Sequence, residues 1–117
     1  MNRITLALGV ALVALAVAVA PVSAQPSSAK ATTVTVTMKE FKFTLSKTTV
    51  PHGVVIFKLV NKGKIAHDFE IATHKSLKIG PGKTGKLVLT LAKGLHPYKC
   101  TIDSHAKFGM KGVLKVT

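Results

Sequence analysis

Residues 95–117 read LHPYKCTIDSHAKFGMKGVLKVT, and the middle of that stretch governs how the rest is read. Cys100, His105 and Met110 stand at intervals of five, inside one connection between two strand-like runs, 95–100 and 112–117. Short β-branched and aromatic runs bounded by Gly and Pro are the mark of strands. A loop joining two strands can fold its ends back, so that a thiol, an imidazole and a thioether face a single point. Residues 103–109 suit a loop or one helical turn.

Outward from that loop the same pattern repeats. Apolar residues alternate in 32–38 (Val34, Val36, Met38) and again in 41–45 (Phe41, Phe43, Leu45). The parity flips between the two runs, which predicts a kink or bulge at Lys39 and Glu40. Residues 54–60 (VVIFKLV) are apolar on both faces and read as a central strand. Turns are expected at Pro51-His52-Gly53, at Asn61-Lys62-Gly63 and over Gly80 to Gly85. Residues 65–72 put Ile65, His67, Phe69 and Ile71 on one face, with Asp68 and Glu70 opposite, and 86–91 (KLVLTL) is a further strand. About seven short strands in under 90 residues predict an all-β Greek-key sandwich.

His67 alone would read as a hydrogen-bonded core residue. Beside the Cys100 loop it becomes a candidate fourth donor, in phase with the buried face of its strand. Two histidines, one cysteine and a weak axial methionine are the donor set of blue-copper electron-transfer sites. The metal ligands expected are therefore His67, Cys100, His105 and Met110, holding one type-1 copper ion. The cysteine count agrees. A single Cys cannot form an internal disulfide, so Cys100 is buried and inert, paired with another chain, or bound to a metal.

Those residues carry a family resemblance. The segment Cys100 to Met110 resembles the copper loop of the plastocyanin and azurin family, the cupredoxins. Its Cys-Thr-x-x-x-His start resembles azurin, and its equal spacings resemble auracyanins. The tail from Gly109 to Val116 is similar to the Gly-Met-x-Gly tail of small bacterial members, and Asn61 to Phe69 (NKGKIAHDF) resembles their upstream ligand strand. The resemblance covers residues 33–117 and implies a cupredoxin-like Greek-key β-sandwich of about seven to eight strands. It implies that His105 is the ligand nearest the surface, with Ala106 and Phe108 as candidates for a docking patch. Lys62, Lys64, Lys99, Lys107 and Lys111 lie where they could ring that patch, or simply form a solvated surface. Two positions depart from the family pattern. Asp68 stands where many members carry Asn, and a carboxylate accepts without donating. Asp103 stands where azurin-like chains often carry a stiffening Pro.

Composition bounds the remainder. Residues 4–20 are almost wholly apolar, follow Arg3 and precede Pro21-Val22-Ser23-Ala24. This is the pattern of a secretory signal peptide over 1–24, cut after Ala24, with a retained membrane anchor as the alternative. Residues 25–32 are expected to be a flexible tail. Beyond the cut the chain holds 16 Lys against four acids, 16 − 4 = +12, and no Arg. Phosphate and base reading favour Arg, so the charge argues for acidic protein partners and against nucleic acid. Gly80 to Lys86 approaches a phosphate-binding loop, but Leu87 takes the place of the hydroxyl residue and a strand-like run follows, so no nucleotide is expected. His52 and His74 read as surface residues, while His96 could lie near the copper loop. No enzyme signature stands out. An exported, monomeric one-electron carrier is expected, with copper storage or delivery through the same ligands as the alternative. A third possibility is a metal-free sandwich that binds anionic polymers through its lysines.

Overall fold

A computed structural model describes residues 9–19 and 30–117. The proposed signal cut at Ala24 and residues 25–29 of the proposed tail lie outside the described residues. Among the described residues no helix is long and apolar enough to cross a membrane.

Among the described residues, nine strands form two sheets. They are β1 (Thr32–Lys39), β2 (Lys42–Leu45), β3 (Thr49–Val50), β4 (Gly53–Asn61), β5 (Glu70–Ile71), β6 (His74–Lys75), β7 (Thr84–Leu91), β8 (Gly94–Lys99) and β9 (Lys111–Val116). One sheet has the order β2-β1-β4-β7, the other β3-β9-β8-β5-β6. The chain builds β1 and β2 in the first sheet, crosses to place β3 in the second, and returns with β4 parallel to β1. The same crossing sets β3 parallel to β9, so both sheets are mixed.

Period-2 alternation decides which side chains meet between the sheets. Val34, Val36 and Met38 of β1, Val55, Phe57 and Leu59 of β4 and Leu89 and Leu91 of β7 line the inner face of one sheet, and Leu114 and Val116 of β9 belong to the other; all are buried. Phe69 sits among them, with ring centroids 5.3 Å from Phe43, 5.2 Å from Phe57 and 5.4 Å from Tyr98.

Three expectations are refined. The parity flip at Lys39 and Glu40 is neither kink nor bulge but a full reversal. β1 and β2 pair antiparallel, and Met38 opposes Phe43 on the core face. β4 is a central strand as expected, between β1 and β7, but its outer face stays partly open: Ile56 and Val60 are half-buried and Val54 is exposed. The run 65–72 is strand only at Glu70–Ile71, with a single bridge between His67 and Ile79. Ile65 is exposed there, because Asn61 folds the preceding turn through its side chain: Nδ2 donates to the carbonyls of Ile65 and Ile79, and Oδ1 accepts from Gly63 N–H.

β5 keeps only two residues of the predicted run, and β6, also two residues long, escapes the sequence pattern. Their turn, Ala72-Thr73, has φ of 49° and 64°, the left-handed pair of a two-residue hairpin turn. Neither residue is Gly or Asn, and Thr is β-branched. Thr73→Gly is therefore expected to stabilise the metal-free protein by about 0.5–1 kcal/mol, read by urea unfolding.

Candidate metal centre

Cys100 follows β8 and Met110 precedes β9, so the ladder that pairs Lys99 with Lys111 brings both ends of the loop together. Cys100 N–H donates to the Met110 carbonyl at 3.0 Å, and Met110 N–H donates to the His105 carbonyl at 3.1 Å. Between them a 3-10 turn, Ala106–Phe108, starts at His105. It ends at Gly109, whose φ of 110° favours a residue without Cβ. His67 comes from the segment that leads into β5, the neighbour of β8 in the same sheet. Its backbone exchanges both hydrogen bonds with Ile79, at 3.0 and 2.8 Å, which fixes where the ring enters.

The result is a convergence of donors. One atom each of His67, Cys100 and His105 lies within 4.8 Å of the other two, and all three residues are buried. His67 Nδ1 and His105 Nδ1 are 3.2 Å apart, and Cys100 Sγ is 3.5 Å from His105 Nδ1. Met110 is fully buried at the end of the same loop. His67, Cys100, His105 and Met110 have exposures of 0, 1, 6 and 0%, so His105 is the most accessible, as the resemblance implies. Its edge is nevertheless screened. Phe41 meets the His105 ring edge-on at 5.0 Å, and Phe108, which is exposed, lies 5.1 Å beyond Phe41.

The electrostatics suit a cation. Glu40 Oε1 accepts from His67 Nε2 at 3.1 Å and from the amides of Lys64 and Ile65 at 2.8 and 3.2 Å. Partial burial raises the Glu40 carboxyl, but these three donors outweigh it and bring its pKa to about 2. An ionised carboxylate only accepts, so His67 Nε2 carries a hydrogen toward Glu40, and Nδ1 is the ring nitrogen that faces His105. Burial pushes the Cys100 thiol up. The amides of Asp68 and Ile102 oppose that shift, and the Asp68 charge adds to it. A metal here must displace the thiol proton. Two imidazoles and a thiol that gives up its proton form a soft, largely dry donor set that fits copper, with the Met110 thioether buried at the end of the same loop.

Asp68, expected on the solvent face, is buried instead. Its carboxylate accepts from Thr101 N–H at 2.6 Å and from Thr101 Oγ1 at 2.5 Å, tying the His67 segment to the Cys100 loop. The carboxylate thus makes this tie by accepting only, with Thr101 supplying both hydrogens. Asp68→Ala leaves the Thr101 amide without this partner and is expected to cost about 1–3 kcal/mol in urea unfolding, with Asp68→Asn closer to wild type.

The remaining histidines lie apart from the cluster. His52 Nδ1 bonds the Thr117 carbonyl, His74 is exposed, and His96 Nε2 bonds the Ala92 carbonyl. Gly80 to Gly85 runs into β7, a strand where a phosphate loop would need a helix. Glu40 is the participant that sequence reasoning missed. Its only signal was the parity flip, which marked a turn but not what the turn touches.

A buried His-Cys-His cluster at one end of a two-sheet sandwich defines a cupredoxin-type protein. The cupredoxin-like domain model matches residues 9–116, and the chain belongs to that family. Among solved structures, reduced auracyanin from Roseiflexus castenholzii aligns with a TM-score of 0.65 at 21% identity, covering 74% of this chain and 97% of that one. Auracyanin A, a "blue" copper protein from Chloroflexus aurantiacus, aligns at 0.63 and 20% identity, over 74% of this chain and 99% of its own. Auracyanin B gives 0.64 and 22%, over 74% and 88%. No curated protein sequence matches the chain.

Proposed function

We propose that this chain is an exported one-electron carrier with one type-1 copper ion held by His67, Cys100, His105 and Met110. The observation that carries the reading is the convergence of three buried donor atoms within 4.8 Å. The structural similarity to a blue copper protein supports it. Bound there, copper would supply a one-electron Cu(II)/Cu(I) couple.

The residues do the rest. Opposing loops tied by Asp68–Thr101 and by the Cys100–Met110 backbone bond hold the donors in one arrangement for both oxidation states. Phe57, Phe69 and Leu114 are fully buried in the same core cluster as Cys100 and Met110. Phe41 and Phe108 give His105 an apolar face toward solvent, suited to close approach of a partner. Lys62, Lys64, Lys99, Lys107 and Lys111 are exposed in the segments around the cluster and favour a partner with an acidic docking surface. Electron exchange with such a partner should slow as salt rises, since exposed charges are screened beyond about 10 Å at 0.1 M.

Storage or delivery needs a metal that leaves easily. Met38, the only other methionine after the first residue's, is fully buried in the core and offers no relay. The discriminating experiment is repeated reduction and oxidation of the copper-loaded chain beside a Cu(I) chelator. A carrier keeps its copper through many cycles; loss of copper to the chelator on first reduction would favour delivery.

A further inference from the structure

We infer that Glu40 is a positioning residue for the metal centre: from the β1–β2 turn it fixes the His67 ring with Nδ1 bare toward Cys100 and His105, and its charge favours the oxidised metal. The second half of this inference rests on the copper reading; the first half does not.

Three N–H groups converge on one oxygen. Lys64 N, Ile65 N and His67 Nε2 all reach Glu40 Oε1, at 2.8, 3.2 and 3.1 Å. The two amides hold the carboxylate still, so it meets the ring in one place. Were His67 to carry its hydrogen on Nδ1, the Nε2 lone pair would face carboxylate lone pairs at that distance. The other tautomer turns repulsion into a charge-assisted hydrogen bond. His67 Nδ1 then presents a lone pair 3.2 Å from His105 Nδ1, an arrangement that is ready for a cation. Outer partners of this kind orient ligating imidazoles and raise their basicity.

The local sequence makes room for this contact. A Cβ on Gly63 would overlap Glu40 Oε1 and its carboxyl carbon, so the carboxylate can pass only over a glycine. Asn61 Oδ1 in turn holds Gly63 N–H at 2.8 Å. Two turns distant in sequence, Glu40-Phe41 and Asn61–Ile65, are shaped to bring a carboxylate to the back of one imidazole. In a chain with four acids against 16 lysines, placing a carboxylate on a buried ring is a specific local investment of negative charge. Such a charge stabilises Cu(II) over Cu(I), because the oxidised ion is one unit more positive.

The test uses ring ¹⁵N spectra of the metal-free chain and redox titration of the copper-loaded chain. In wild type, His67 should show a protonated Nε2 and an unprotonated Nδ1. Glu40→Ala, and Gly63→Ala, which displaces the carboxylate but keeps its charge, should both lose that preference and show mixed tautomers. Glu40→Gln retains an oxygen acceptor, so it should keep the tautomer. At fixed solution potential it should shift the Cu(I):Cu(II) ratio about tenfold toward Cu(I), which is 59 mV for a one-electron couple. A wild-type His67 protonated at Nδ1, or a Glu40→Ala protein with unchanged tautomer, would overturn the positioning role. An unmoved couple in Glu40→Gln would overturn the charge effect. If the two alanine variants do not fold, the wild-type and Gln spectra still decide. The ring spectra need no copper, so a failure of the copper reading is distinguishable from a failure of this one.

Discussion

Cys100→Ser is expected to abolish the intense visible band of the copper-loaded protein and to weaken copper binding by well over the roughly 10–100-fold that losing an outer hydrogen-bond partner costs. Cys100 is the only cysteine, so no other thiolate can replace it. A serine hydroxyl is a hard donor that stays protonated, whereas the thiolate is the soft ligand that copper prefers and the source of the charge-transfer band. The fold should survive. The side chain is nearly isosteric, and the loop keeps its backbone bonds from Cys100 N–H to Met110 and from Met110 N–H to His105. The check is the visible spectrum and copper content of the variant, beside a far-ultraviolet spectrum showing the same sheet content. A variant that stays blue would mean that the thiolate is not the ligand.

Phe69→Ala should produce the largest loss of stability, about 3–5 kcal/mol for a fully buried phenylalanine. The ring touches Phe43 of β2, Phe57 of β4 and Tyr98 of β8, so it is packed by both sheets at once. Deleting it removes the transfer energy of the ring and leaves a cavity that two paired sheets cannot close. A domain of this size has only about 5–15 kcal/mol in hand, so the variant should be largely unfolded at modest urea. Phe69 also lies two residues from His67, so copper affinity should fall with it. Urea unfolding of the metal-free protein measures the effect, and a cost under about 1 kcal/mol would contradict the packing described.

The long strands were legible because their periodicity is strong. β1, β4, β7, β8 and β9 each alternate, or run apolar between clear turn residues, for six residues or more. The two-residue strands β3 and β6 carry no period and were invisible, and β5 was read only as part of a longer run. The 65–72 segment misled for a related reason. Its alternation is real, yet the Asn61 side chain and the Ile79 bridge hold most of it outside any strand, and Thr101 draws Asp68 inward. The donor cluster was legible at Cys100 and His105 because one loop spells it out. His67 needed both its phase and that loop. Glu40 was not legible at all, since a turn glutamate looks like any surface charge until the two turns are placed side by side.

The most direct measurement is the copper content and visible absorption of the chain after Cu(II) addition and removal of excess metal. One copper per chain is expected, with an intense blue band that reductant bleaches and oxidant restores. Absence of stoichiometric copper, or copper bound without that band, would contradict a thiolate-ligated centre built from His67, Cys100, His105 and Met110.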